Sequence, residues 1–333
     1  LVDDGKKSFQ FKGLDMNPEE TNMQKKVTAV IVTYNRLTLL KSSLAKVLSQ
    51  TTTALKHVIV INGASTDGTH EYLDTLNDDR LLVVHLEKNL GGAGGFNQGI
   101  RQFYEQTRDN FVWVMDDDSM PRSDALAKLL LMFDSVPRAG WGASKVEWLD
   151  GNWSKMNVPG ALNTSNNILQ VSQDNLIAIK HATFVSTIFR RELIEKIGLP
   201  QKEYFIWGDD IEFTERATRV MPGYFVRDSV VVHESKSNAK PGDIVGETTE
   251  ERLPRYLYEY RNRILTARRR QSNIKLFKTL AHSSLDFLKT LFLPRITYRQ
   301  KKLSTIIKGT YQGLWFHPSI EYVTYSNDQL LNK

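Results

Sequence analysis

Three consecutive carboxylates, Asp116-Asp117-Asp118, close an apolar run that reads Val112-Trp113-Val114-Met115. A strand that delivers like charges to its carboxyl end needs a cation there, because acidic neighbours repel one another and are costly to strip of water. Alternate side chains of an extended chain project to one side, so Asp116 and Asp118 can share an ion while Asp117 faces elsewhere. Carboxylate oxygens suit Mg2+ or Mn2+, which keep positions open for phosphate oxygens. A solvated acidic turn is the competing reading, disfavoured by the apolar strand before the triplet and by Pro121 after it.

A second acidic pair lies in Trp207-Gly208-Asp209-Asp210, at the start of an expected helix, where the dipole stabilises anions. Asp209 stands where a helix N-cap would, and capping alone can account for it. Asp210, followed by Glu212 and Glu215, is the better candidate for a base that takes a proton from a substrate hydroxyl. His233 ends the run Val230-Val231-Val232. A lone histidine is more often a core or surface residue than a ligand; beside the triplet it becomes a third metal ligand and tilts the choice toward Mn2+.

The elements that must position these groups alternate. Apolar runs at Thr28–Thr33, Val58–Ile61, Leu81–Leu86 and Phe111–Met115 are separated by Leu37–Gln50, Thr69–Leu76 and Gly95–Arg108, whose apolar residues recur at three- and four-residue spacing. This alternation predicts an α/β protein with a mostly parallel, Rossmann-like sheet, helices on both faces and a site beyond the carboxyl ends of the strands. Each strand end is polar or glycine-rich: Thr33-Tyr34-Asn35-Arg36, then Asn62 to Gly68, then Asn89-Leu90-Gly91-Gly92-Ala93-Gly94-Gly95, then the triplet. The glycine run lets backbone approach a ligand and precedes a helix whose N-terminus favours phosphate. It fails as a dinucleotide fingerprint, since Asn97 stands where a third glycine is required.

Beyond Trp141 the pattern is irregular, with Trp148 to Gln173 expected as loops or short antiparallel strands. Strands are expected at Leu176–Ile179, Phe184–Phe189 and Tyr224–Val232, and a mobile loop from Lys236 to Gly246. Helical segments follow near 252–270, 274–293 and 298–312. The expected organisation is a polar lead-in over 1–23, a catalytic domain over 24–250 and a basic helical region over 251–333. Composition is globular, with 41% hydrophobic and 25% charged residues, and the absence of cysteine excludes a disulfide framework and thiolate zinc sites. No early apolar segment resembles a signal peptide and no uncharged run of about 18 apolar residues exists, so the expectation is a soluble or surface-bound protein.

The net charge of +6 is unevenly spread: residues 255–308 hold 14 Lys or Arg against Glu259 and Asp286, which leaves the rest of the chain acidic. Basic helices interleaved with aromatic and aliphatic residues read as elements that lie on an anionic membrane surface. The alternative is a cap packed on the catalytic domain or on another subunit of a homo-oligomer.

Taken in order, Val30-Ile31-Val32-Thr33-Tyr34-Asn35, Ser65-Thr66-Asp67-Gly68-Thr69, the acidic triplet and the later paired acids resemble the inverting GT-A glycosyltransferases of family two. The glycine run through Phe96, Trp207-Gly208-Asp209-Asp210 and Tyr260-Arg261-Asn262 are similar to its bacterial galactofuranosyltransferase and rhamnosyltransferase branch. The resemblance implies a GT-A fold. It places Thr33, Asn35 and Arg36 at the nucleotide, Asp67 on the uracil or thymine edge, and Asn89 with Gly92, Gly94 and Gly95 near the ribose and sugar. Asp117 and Trp207 also fall at the donor. Asp116, Asp118 and His233 would hold the metal, and Asp209 with Asp210 would form the catalytic pair, Asp210 as base. Asn62 departs from the aspartate of many relatives, leaving one fewer negative charge near the nucleotide.

The expected reaction is transfer of galactofuranose from UDP-galactofuranose to a glycan or glycolipid acceptor, at the cytoplasmic face of the cell membrane during bacterial surface-polysaccharide synthesis. Rhamnosyl transfer from a dTDP donor is the alternative within the class. Outside it stand a catalytically silent nucleotide-sugar binder and a nucleic-acid binder. The latter is disfavoured because the acidic strand ends repel a polyanion and no nucleic-acid motif is present.

Overall fold

In the computed structural model, residues 25–162, 168, 176–238 and 242–323 are described, and the expected lead-in over 1–23 lies outside them. The first half alternates as read: β1 (Val27–Thr33), α1 (Leu37–Leu48), β2 (Leu55–Asn62), α2 (Thr69–Asp74), β3 (Leu81–His85), α3 (Gly91–Gln106), β4 (Phe111–Asp116) and the short β5 (Ser119–Pro121). Then come α4 (Ala125–Ser135), β6 (Trp141–Trp148), β7 (Gly160–Ala161), β8 (Leu176–His181), β9 (Thr187–Arg190), α5 (Arg191–Ile197), α6 (Asp209–Thr218) and β10 (Gly223–His233). Three helices finish the described chain: α7 (Leu253–Arg269), α8 (Asn273–Phe292) and α9 (Arg299–Trp315).

The strands form one sheet in the order β3-β2-β1-β4-β9-β6-β10-β8-β7, with β5 pairing on β10. The β3-β2-β1-β4 half is parallel; β9 then inserts antiparallel between β4 and β6. Alternate residues of the parallel strands serve two cores. Val30, Ile59, Ile61, Val112 and Val114 face one side, while Ala29, Ile31, Val58, Val60, Trp113 and Met115 face the other. A sheet buried on both faces needs this continuous β-branched character, and helices cover both faces accordingly.

Two elements differ from expectation. Trp141–Trp148 is a strand whose eight residues all pair with β10, across a register shift between Val226 and Val230, although its sequence mixes Gly, Ser, Lys and Glu with apolar residues. The glycine run does not precede its helix but forms the first turns of it, since α3 begins at Gly91. A Cβ on Gly95 or Gly99 would collide with Val32 or Val30 of β1, so those glycines let α3 lie close on the sheet.

Of the expected loop Lys236–Gly246, residues 239–241 lie outside the described residues and both flanks are anchored. Asn238 donates from Nδ2 to the Trp153 carbonyl, and Lys302 Nζ donates to the Val245 carbonyl at 3.0 Å. Ile244 is buried with Leu253, Tyr256, Tyr260 and Ile306, so this stretch packs with the C-terminal helices.

Candidate active site

Sheet register alone gathers most of the candidate residues. Val32 pairs with Asp116, Thr33 with Asn62, and Asn62 with His85, so the carboxyl ends of β4, β1, β2 and β3 stand in a row. The chain turns at Asp117-Asp118, and β5 pairs antiparallel with β10, setting Ser119 opposite His233. That pairing brings a residue more than a hundred positions away beside the triplet: His233 Nε2 lies 3.2 Å from Asp118 Oδ1.

Within the cluster, Thr33 Oγ1 donates to Asp117 Oδ2 at 2.8 Å. Arg36, at the start of α1, spans Asp117 Oδ1 at 3.2 Å and Asp118 Oδ2 at 2.5 Å. Burial raises Asp117 to a pKa of about 6 against the pull of Arg36. Burial also opposes ionisation of Asp118, but His233 and Arg36 outweigh it and hold this carboxyl below its usual value. Asp116 is driven well upward by burial and then by the charges of Asp118 and Asp117, with Asp209 adding to the repulsion. The two acidic motifs are therefore near enough for the charge of Asp209 to act on Asp116.

Asp209 is not the N-cap expected of it. Gly208, at φ +90°, occupies that position without a side-chain cap, and Asp209 is the first residue of α6, buried and raised in pKa by burial and by Asp210. Asp210 is half-buried, accepts from the Ile211 N–H at 2.7 Å, and is pushed up to about 6 by burial. Neither Glu212 nor Glu215 joins it: Glu212 pairs with Arg216 and Glu215 with Arg270.

The turn before these acids is tightly held. Phe205 and Trp207 both have φ +64°, a region costing of order 1–3 kcal/mol for a side-chain-bearing residue. Asn262 on α7 opposes that cost, its Nδ2 lying 2.9–3.0 Å from the carbonyl oxygens of Tyr204, Ile206 and Trp207. Arg261 donates to the Glu203 carbonyl at 2.5 Å and lies over the Phe316 ring. Trp207 packs edge-on against Tyr256. From the other side, Gly91 meets the turn: its φ is +71° and a Cβ would run into the Phe205 carbonyl. Gly91 and Asn262 are positioning residues to which spacing alone assigned no part; the signal for Asn262 was the Tyr260-Arg261-Asn262 motif.

Other expected donor contacts are already engaged within the protein. Asp67 accepts from the Leu37 N–H at 2.9 Å and from Thr69 Oγ1 at 2.6 Å, so its carboxylate ties together the first turns of α1 and α2. Asn35 Oδ1 accepts from the Thr66 N–H, and Asn89 Oδ1 from the Gly91 N–H, both at 2.7 Å. Gly94 and Gly95 are buried, with Leu90 and Val32 filling the space their side chains would take; Gly92 alone of the three faces open space. Asp67 and Asn89 thus make hydrogen bonds within the protein, and Gly94 and Gly95 admit the side chains packed against them.

The donor set of the triplet fits a divalent ion. Asp118 Oδ1 is buried without a hydrogen-bond partner, His233 Nε2 stands beside it, and the charges of Asp118 and Asp117 repel that of Asp116 more than Arg36 offsets. The ligand atoms of Asp116, Asp118 and His233 do not all lie within 4.8 Å of one another, and Arg36 brings positive charge to Asp117 and Asp118. Among the described residues one other trio is closer set, His70, Asp74 and His85, with candidate ligand atoms within 4.8 Å. Asn62 argues against an ion there: its Oδ1 accepts from Ser65 N–H, so its amide NH2 faces His85 Nδ1 and leaves the proton on Nε2, which donates to Asp74 at 3.1 Å.

Residues 28–198, just over half of the chain, match the sequence profile of glycosyl transferase family 2. The chain belongs to that family. Among curated relatives it is 26% identical over 207 residues to the galactofuranosyltransferase GlfT1 of Mycolicibacterium smegmatis, covering 58% of this chain and 65% of that one. It is 28% identical over 202 residues to GlfT1 of Mycobacterium tuberculosis, covering 59% and 66%. The match thus spans just under two thirds of these relatives.

Among solved structures, Staphylococcus aureus TarS 1-349 superposes with a TM-score of 0.56 at 18% identity, covering 86% of this chain and 81% of that one. The mannosyltransferase PcManGT of Pyrobaculum calidifontis, solved with GDP-Man and Mn2+, gives 0.53 at 17%, covering 89% and 88%. At these identities the likeness establishes the fold, and the family 2 chain described here has the α/β GT-A fold with a helical C-terminal region.

Proposed function

We propose that this chain is an inverting glycosyltransferase that moves galactofuranose from UDP-galactofuranose to a glycan or glycolipid acceptor at the inner face of the cell membrane. The observation that carries the reading is the cluster of Asp116, Asp118 and His233 at the carboxyl end of β4, with Asp209 of the second acidic pair close enough to act on Asp116. The galactofuranosyltransferase relatives favour the sugar.

Asp116, Asp118 and His233 would hold Mn2+ or Mg2+; such an ion, when bound, supplies Lewis-acid neutralisation of the leaving diphosphate. Arg36, half exposed beside Asp117 and Asp118, is placed to exchange those carboxylates for a phosphate oxygen. Asp210 accepts the proton of the acceptor hydroxyl as that oxygen bonds to the anomeric carbon. The bond from that carbon to the diphosphate oxygen breaks, releasing UDP, and attack from the opposite face inverts the centre. Asn262 fixes the turn that presents both acids.

The test is a donor screen with and without Mn2+, reading released nucleoside diphosphate. UDP release from UDP-galactofuranose in the presence of a glycan acceptor is expected. Preferential release of dTDP from dTDP-rhamnose would replace the sugar assignment while leaving the mechanism intact.

A further inference from the structure

Helix α8 is built inside out. Its most buried residues are polar, Ser283, Asp286 and Thr290, with Asp286 accepting from Tyr260 Oη at 2.8 Å. Its large apolar residues face outward: Ile274, Phe277, Leu285, Leu288 and Phe292 are 46–75% exposed. With Ala281 they follow one another at three- and four-residue steps, a single stripe along the helix. A second line, Lys275, Lys278, His282 and Lys289, runs along one flank at steps of three, four and seven residues.

Against that flank opens a groove of about 400 Å3 between α7 and α8, lined by Arg263, Arg270, Lys275, Lys278, Thr279 and His282. Carboxylates reach part of it: Glu215 holds Arg270, Glu259 holds Arg263, and Asp286 lies 3.5 Å from His282. Lys275 and Lys278 have no ion-pair partner among the described residues, and Lys180, Arg219 and Arg270 crowd Lys275 with further positive charge. No helix among the described residues is long and apolar enough to cross a membrane.

We propose that α8 docks flat on an anionic bilayer, its apolar stripe in the acyl boundary and its basic groove around a lipid headgroup phosphate. This deepens the membrane part of the function proposed above. The occupant is argued from charge complementarity and from the juxtaposition: a stripe bordered by a cationic line matches the boundary between acyl chains and phosphates. A second copy of this chain would have to bring a strongly basic face onto an equally basic one. Outward apolar residues on α9, Ile307, Tyr311, Leu314 and Trp315, extend the apolar character of the region.

Flotation of the full chain with phosphatidylcholine vesicles, with and without phosphatidylglycerol, tests this without reference to catalysis. Binding is expected only with phosphatidylglycerol and falls as salt rises. Because each lysine near such a surface contributes about fivefold in affinity, Lys275→Glu/Lys278→Glu should lower it at least about tenfold. Phe277→Ser/Phe292→Ser should do the same, both variants keeping wild-type melting temperature and UDP release with a water-soluble acceptor. Equal binding to neutral vesicles, unchanged binding by either double variant, or a wild-type dimer that Phe277→Ser/Phe292→Ser dissolves would overturn the proposal. Failure of the donor screen with intact vesicle binding would instead strike the reaction alone.

Discussion

Asp210 must be ionised to take a proton, yet its half-buried site pushes its pKa up to about 6. kcat/KM should therefore rise with pH through about 6 and level off above it, which a pH–rate profile with saturating Mn2+ will show. Asp210→Asn should lower kcat by about 10^2 to 10^4 while donor affinity by calorimetry is kept. The same change should stabilise the protein at pH 8. A carboxyl whose folded pKa is raised favours the fold below its unfolded value of 3.8 and loses that contribution as pH rises from there through about 6, a loss of at most about 3 kcal/mol, reduced by the water that reaches it. Asp118→Ala should abolish Mn2+-dependent enhancement of UDP binding; enhancement that survives would reduce the triplet to a structural turn. The gathering of the triplet with Arg36 and His233 was legible, because few structural roles call for such charges at a strand end. Asp67 and Asn89 were not separable by sequence, since capping a helix and binding a ligand draw on the same residue types.

At the scale of elements, the acid turn between the 3-10 turn at Lys202–Tyr204 and α6 depends on two neighbours. Asn262→Ala would leave three carbonyls without their shared donor, a cost of about 1–3 kcal/mol, and should lower kcat more than it raises donor KM. Gly91→Ala should cost more, since it combines a positive φ with a collision at the Phe205 carbonyl; thermal melts of both variants check the order. The parallel half of the sheet could be read from alternation because β1, β2 and β4 are buried on both faces and so are nearly continuously apolar. The insertion of β9 and the strand character of Trp141–Trp148 could not. Antiparallel pairing between distant segments is decided by partners, and a half-polar segment declares no face until its neighbours are known.

For the whole molecule, helices α7 to α9 are not a separable appendage to the parallel sheet. Asn262 and Arg261 reach into the acid turn, Arg270 holds Glu215 of α6, and the segment after α9 returns to α3. A fragment ending at residue 250 is therefore expected to melt well below the full chain and to release no UDP even with a water-soluble acceptor, measurable by calorimetry and a coupled assay. The charge asymmetry of the chain announced a distinct basic region. It did not reveal that the region also braces the acids, because a brace made of backbone carbonyls leaves no pattern in composition.

Glu321 gathers Asn97 and Arg101 of α3 together with Lys202, and its backbone carbonyl accepts from the Leu199 N–H. Burial disfavours its charge, but Lys202 and Asn97 outweigh this and hold its pKa below 4.5. Its contribution is thus complete at neutral pH and fades as the solution is acidified through that range. One late side chain fastens the end of the described chain to α3. Inherited changes at this position should surface as heat-sensitive growth, with the choice of sugar untouched.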